Sequence, residues 1–473
     1  MNFEACNVLI SGEGELQPKA RYVLARWVQD FGVGGEVSIG VKELALRYGV
    51  SDAHISNSLK AMVVAEILAK RSVPRGRGRP KGRYEVRSEY AEKLRSTDVL
   101  GVRHQAAIGL LLRQKDRVLD LPAIDGISPS LASMWAARKP NQLDIESRLL
   151  LAVLLCHADR LGVVRDQGQQ QLLRQTGMDT DQLKHRISLL IKLGWLRAYL
   201  PGTNDVSLFG HSKSTYFINL HHPELLPSQP VAILLHIESC RHDDGDIASY
   251  FVDGIDEMSE RNALGIANLS YQQRQRLSRL LRSKLERYAS FYLTHYWGVG
   301  TGGAYREDML DLIKNDLRKI PDPDGDKEQL YVDDTRTRLA YFIYELAYTV
   351  ATNVRSSLIR AKFPFVELEG MVYAILPNAI NPPCFSVVAV LAAPPEGGAE
   401  LMGYHVAVSS GNETQHQHHA SPPVEVLGYE NLQSILKQGS CDISWEKELQ
   451  SFFTGPANPL DEPEGCNHEK INP

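Results

Sequence analysis

His54, Ser56, Asn57 and Lys60 combine short polar or cationic side chains with a spacing that sets them on the outward side of one helix. Asparagine pairs with an adenine edge through two hydrogen bonds, whereas Ser, His and Lys reach a base or a phosphate according to depth of insertion. Close behind them come Arg71, Arg75, Arg77, Arg79, Lys81 and Arg83, in a stretch from 70 to 83 that holds no acidic residue. Such a run repels itself unless something anionic lies alongside. Gly76, Gly78 and Gly82 let its backbone approach a surface closely, and its arginines suit a narrow minor groove, where the negative potential is strongest.

Other chemistry finds less support. The loop Gly298-Val299-Gly300-Thr301-Gly302-Gly303 follows a helical pattern, not a strand, and lacks the Gly-Lys-Ser/Thr ending that cradles phosphate. Asp322, Asp324 and Asp326 imitate a calcium loop, but Gly325 stands at its fourth position and Asp333 at its twelfth, so a solvated loop is expected. His416, His418 and His419 are near the spacing of a His-hydrophobic-His nicking site, with Gln417 in the middle. In a polar stretch they read as an exposed loop. The expectation is therefore a protein that is not an enzyme, with no catalytic residue, no cofactor and no metal.

The elements that must hold the first set follow from apolar spacing. Val41, Leu44, Ala45 and Tyr48 predict a short helix that Gly49-Val50-Ser51 stops and recaps. In the next helix Ile55, Leu59, Met62 and Val63 form the buried stripe. Residues 67–69 and 84–86 read as two strands of a hairpin. Ahead of them, Pro18 opens a helix with Val23, Leu24, Trp27, Val28 and Phe31 on one face, ended by Gly32, Gly34 and Gly35. This order resembles the winged helix-turn-helix family of DNA-binding regulators, and Arg77-Gly78-Arg79-Pro80 resembles the core of an AT-hook. The resemblance implies double-stranded DNA as partner, read by His54, Ser56, Asn57 and Lys60 and gripped by Arg71, Arg75, Arg77, Arg79, Lys81 and Arg83.

From Asp144 the order repeats: helices at 146–161, 169–176 and from Asp179 to Leu193, then strands at 195–200 and 215–220. Leu183, Ile187 and Leu190 are its buried stripe, and Lys184, His185, Ser188 and Lys192 face the other way. The second hairpin offers only His211 and Lys213. It too resembles a winged helix, and either DNA contact through Lys184, His185, Ser188, Lys192 and Lys213 or a protein-binding copy fits. A tandem pair resembles the arrangement in plasmid replication initiators as well as in some regulators.

The fold class expected is mainly α with small β-sheets. Residues 1–95 form the first winged helix, 96–143 a helical connector, 144–222 the second winged helix, and 223–362 a helical domain. Residues 363–454 form a small sheet with helices for assembly or sensing, and 455–473 a disordered acidic tail. Residues 1–17 carry little pattern and suit a strand or a loose segment. Residues 88–120 read as one helix, with Leu110, Leu111 and Leu112 as an apolar patch. Asp125 to Lys139 offers only a helical turn around Leu131 to Trp135. Residues 271–297 set Leu277, Leu281, Tyr288 and Tyr292 on one face and Arg274, Arg276, Arg279, Arg282 and Arg287 around the rest. A helix at 335–360 presents Leu339, Phe342, Ile343, Leu346, Val350, Val354 and Leu358, and strands at 365–376, 385–392 and 401–409 suggest one antiparallel sheet. Helices are expected at 429–436 and 445–453.

A chain of 473 residues, 43% hydrophobic, can bury substantial cores in about three domains. No stretch reads as a membrane span or a signal peptide, and the six scattered cysteines form no Cys-x-x-Cys pair, so reduced thiols and the cytoplasm are implied. The net charge of −5 is unevenly spread: residues 363–473 hold 14 acidic side chains and 3 lysines, with no arginine after Arg360. A regulator of transcription acting by occupancy is the leading expectation, with a homo-oligomer and a protein partner at the carboxyl-terminal region. A replication initiator and an assembly protein are the alternatives.

Overall fold

The computed structural model describes residues 3–12, 16–73, 81–96, 101–113, 143–202, 208–209, 212–220, 222, 225, 233–236, 270–298, 305–317, 329–361, 368–377, 386–391, 404–410 and 413–419. The described part is mainly helical with small antiparallel sheets. The stretch 125–139, the helices expected at 429–436 and 445–453, and the tail from 455 lie outside the described residues, as does the loop with Arg75, Arg77 and Arg79.

The chain opens with α1 (Phe3–Ser11), where the sequence pattern suggests a strand or a loose segment. Ala5, Cys6, Val8 and Leu9 are buried, so this helix is held by packing. Next come α2 (Pro18–Phe31), β1 (Val37–Ser38), α3 (Val41–Tyr48), α4 (Asp52–Val64), β2 (Leu68–Val73) and β3 (Lys81–Val86). Pro18 sits in the first turn of α2, and Gly49, at φ 68°, ends α3 in the left-handed conformation that glycine adopts without strain. Ser51 then caps α4 by accepting the His54 amide at 3.3 Å. The three strands form an antiparallel sheet in the order β1-β3-β2.

The expected single helix over 88–120 is two, α5 (Ser88–Ser96) and α6 (Gln105–Arg113), with Gly101 between them at φ 125°. Of the expected apolar patch, Leu111 and Leu112 are buried and Leu110 is half-buried.

The same order then returns: α7 (Ile145–His157), β4 (Val163–Gln167), α8 (Gln169–Thr176), α9 (Thr180–Lys192), β5 (Leu196–Leu200) and β6 (Ser214–Ile218), with sheet order β4-β6-β5. α7 stops four residues short of Leu161. Asp159 Oδ1 there accepts the amides of Leu161 and Val163, both at 2.9 Å, giving the backbone an alternative to the helix. From Gly40 to Ile67 the repeat is ungapped: the bounds of α3 and α4 recur 128 residues later in α8 and α9. So do the caps Gly40, Gly49 and Ser51, as Gly168, Gly177 and Asp179.

Both repeats share one hydrophobic core. Every residue of α7 from Ser147 to Cys156 is buried, the mark of a helix surrounded on all sides. The seam is closed by Arg21, which donates to the carbonyls of Leu16 at 2.9 Å and Gln175 at 3.4 Å, and by Gln175, which donates to that of Ile10 at 3.0 Å. Cys6 of α1 and Cys156 of α7 are buried free thiols in hydrogen-bond contact across it.

A second core belongs to α10 (Tyr271–Tyr296), α11 (Glu307–Asp316) and α12 (Gln329–Ala361). Leu277, Leu281, Tyr288 and Tyr292 are buried there as their spacing predicts. Asp316 accepts from Lys284 at 2.9 Å, Arg287 at 3.1 Å and Tyr288 at 2.8 Å, which fixes α11 on α10. The strands β7 (Ile233–His236), β8 (Val372–Pro377) and β9 (Ser386–Leu391) form a sheet in the order β7-β9-β8. At its β8 edge, Ser290 and Thr294 of α10 accept the amides of Ile375 at 2.8 Å and Tyr373 at 2.9 Å.

Two expectations are corrected here. β10 (Tyr404–Ser410) does not join β8 and β9; it pairs with β11 (Glu413–His419), while β7, absent from the sequence reading, completes the larger sheet. His416, His418 and His419 therefore lie on a strand and not in a loop. Ladder hydrogen bonds come from the backbone, so a polar strand forms where an apolar one, with Val406 and Val408, pairs with it.

Candidate functional site

α4 is a cylinder with two chemically distinct sides. Ile55, Leu59 and Met62 are buried under it and Val63 is half-buried, while Asn57 and Lys60 are exposed and His54 and Ser56 are half-buried. The four residues singled out by spacing thus occupy the side away from the core. Ser58, equally polar, is buried and belongs to the other side.

The hairpin β2–β3 brings the described cations together in a particular way. Its register sets Arg71 directly opposite Arg83. Like charges in that position repel. The repulsion is relieved locally, because Arg83 donates to Glu36 at 3.0 Å and Arg71 lies 3.9 Å from Glu85. Both arginines remain more than 40% exposed, so these pairs are weakly held and exchangeable. Lys81 begins β3, in register with Val73. Glu36 and Glu85 have no place in the sequence reading; only the register makes them partners of the arginines.

In the second repeat the equivalent helix α9 begins with a capping box, Asp179 accepting the Gln182 amide at 2.8 Å and Gln182 returning to the Asp179 amide at 3.3 Å. Lys184, His185 and Ser188 stand at the positions that Ser56, Asn57 and Lys60 hold in α4. His185 and Lys192 are exposed, Lys184 and Ser188 half-buried, and Lys184 lies 4.0 Å from Asp181. Arg186 turns the other way, 2.6 Å from Asp144, and ties α9 to the start of α7.

A scan against protein-family models, a search of curated proteins and a search of solved structures each returned no match.

The second hairpin differs from the first at its loop. Leu208 and Phe209, between β5 and β6, are buried in the core formed by α10, α11 and α12, with Lys284 Nζ 5.9 Å from the centre of the Phe209 ring. This connection is held against protein. The adjacent apolar pair in a polar stretch is the sequence signal for it. Lys213 stays exposed beside it.

Burial also shapes the titration of this half of the chain. His222 stacks on Trp195 with ring centres 3.7 Å apart, and desolvation pushes its pKa down to about 3. Desolvation likewise lowers His104 and His157. Among the described residues no group of three His, Cys, Asp or Glu side chains could hold a metal ion, and no helix is long and apolar enough to cross a membrane.

Proposed function

We propose that the chain is a sequence-specific double-stranded DNA-binding protein that acts by site occupancy, as a regulator of transcription, and that both repeats are winged helices. The observation that carries this reading is the joint presence, on one repeat, of an exposed polar helix face and an arginine-paired hairpin stem. The sheet order β1-β3-β2 behind three helices, repeated as β4-β6-β5, supports the winged-helix assignment.

In this reading α4 enters the major groove, where Asn57 contacts an adenine edge and His54, Ser56 and Lys60 contact bases or phosphates. The loop with Arg75, Arg77 and Arg79 lies on phosphate or in the minor groove. Arg71 and Arg83 exchange Glu85 and Glu36 for phosphate oxygens, a step of small cost because exposed ion pairs contribute about 1 kcal/mol or less. The second repeat acts through its helix face, with Lys184, His185, Ser188 and Lys192, and through Lys213 just before β6, while Leu208 and Phe209 of the same connection are engaged by the second core.

The shared core of the two repeats favours a second reading, a replication initiator of a plasmid or mobile element, in which α4 and α9 meet DNA as one rigid body. Selection of bound sequences from random duplex DNA by the full chain tests both. A palindrome supports a regulator, an array of direct repeats supports an initiator, and failure to enrich any sequence removes specific DNA recognition.

A further inference from the structure

In the second core two half-buried guanidinium groups face aromatic rings instead of carboxylates. Arg306, at the N-cap of α11, lies 5.1 Å from the centre of the Tyr296 ring, and Arg355 of α12 lies 5.6 Å from that of Trp297. Neither has an ion-pair partner among the described residues, and Arg355 Nε is buried with no hydrogen-bond acceptor. The nearby acids are engaged by tyrosines, since Asp308 accepts from the Tyr296 hydroxyl and Glu345 from that of Tyr305. Both arginines bear on Tyr292: burial raises its phenol, and the two positive charges draw it back down. Guanidinium groups left in this way are unsatisfied until an anion arrives.

The cleft they flank, lined by Tyr292, Tyr296, Trp297, Tyr348 and Thr352, encloses only about 10 Å³. That is room for one water, so a ligand lies along its mouth and no ring enters. Exposed aromatic surface adjoins it. Tyr305 and Tyr341 are 46% and 36% exposed and pack edge to face with centres 4.7 Å apart, and Tyr344, whose hydroxyl accepts the Arg306 amide at 3.3 Å, packs on Tyr305. We propose that this face of α10, α11 and α12 is a binding site for single-stranded nucleic acid, with Arg306 and Arg355 taking phosphates and Tyr305 and Tyr341 taking unstacked bases. Cations that track a backbone beside rings that stack bases suit a single strand, because a duplex keeps its base faces inside its own stack. The site uses neither α4 nor the first hairpin and so goes beyond the proposed duplex recognition.

Labelled oligothymidine of about 12 nucleotides is the probe, titrated by fluorescence anisotropy into the full-length chain carrying Arg75→Gln, Arg77→Gln and Arg79→Gln, so that the first hairpin contributes little charge. Binding is expected. Arg306→Gln, Arg355→Gln and Tyr305→Ala should each weaken it about fivefold or more, and each arginine removed should lower the log-log salt slope by about 0.7. Asn57→Ala should leave it within about twofold, which separates this site from α4. Far-UV circular dichroism and urea midpoints confirm that the compared chains are folded, and Tyr305→Ala, at an exposed position, keeps the test open if Arg355→Gln unfolds. No binding of the oligomer, or equal affinity in Arg306→Gln and Tyr305→Ala, would overturn the proposal. So would thymidine monophosphate competing as well, mole for mole, as unlabelled oligomer.

Discussion

Asn57 is the residue on which sequence reading in the proposed function rests most heavily, because it is exposed near the middle of α4 and can make two bonds to one base. Asn57→Ala is expected to cost about 1 to 3 kcal/mol of discrimination at one base pair and little non-specific affinity. Selection from random DNA with the variant checks this; recovery of an unchanged motif would remove Asn57 as a reader. His222 carries a different expectation. Its folded pKa of about 3 lies below the unfolded value near 6.5, so the unfolded chain binds the extra proton. The stabilising contribution is complete above pH 6.5 and is lost as pH falls toward 3, by about 1.4 kcal/mol per pH unit for this one group. His104 and His157, shifted in the same direction, add to the slope. Urea midpoints should therefore fall between pH 7 and 5, and His222→Gln should flatten that fall; parallel curves for the two proteins would contradict it.

At the scale of elements, caps and stripes are legible in the sequence and packing is not. Gly49, Ser51 and Asp179 announce their helix ends because a left-handed glycine and a side-chain cap are local events. α1 escapes because its nine residues are held by neighbours far along the chain, and β1 escapes because two residues show no alternation. The repeat itself makes a test. Glu66 at the end of α4 has φ 59° and occupies the position of Gly194, φ 74°, at the end of α9. A left-handed side-chain residue costs about 1 to 2 kcal/mol, so Glu66→Gly is expected to raise stability by about 1 kcal/mol in urea unfolding, the exposed ion pair with Arg87 subtracting little. Gly177 gives the opposite outcome. It has φ 70°, and a Cβ there would stand 2.2 Å from the Leu16 carbonyl oxygen. Gly177→Ala must open the seam between the repeats and should lower stability by about 3 kcal/mol, from overpacking and backbone strain together. A midpoint equal to that of the parent chain would show that the repeats do not meet closely at this seam.

For the molecule as a whole, two similar units and a helical region are legible in the sequence, but not how they are joined. The joints are a shared core around α7, the insertion of Leu208 and Phe209 among the residues of α10 to α12, and a small cluster of Val163, Phe217, Ala374 and Leu376 between the second repeat and β8. Each joins residues distant in sequence, and no local pattern reports such a pairing. They make the second hairpin a structural contact and leave the first, with its crowded arginines, as the cationic surface of the proposed DNA complex. Its electrostatic signature is the most direct test. The full-length chain is titrated against labelled duplex DNA by fluorescence anisotropy over a series of salt concentrations, beside a variant with Arg75, Arg77 and Arg79 changed together to Gln. The parent chain is expected to bind with a steep log-log salt dependence, and the variant to bind more weakly to every sequence, its slope reduced by about 0.9 for each phosphate that is no longer neutralised. No binding at low salt, or an identical slope in the variant, would contradict a DNA-gripping role for this hairpin.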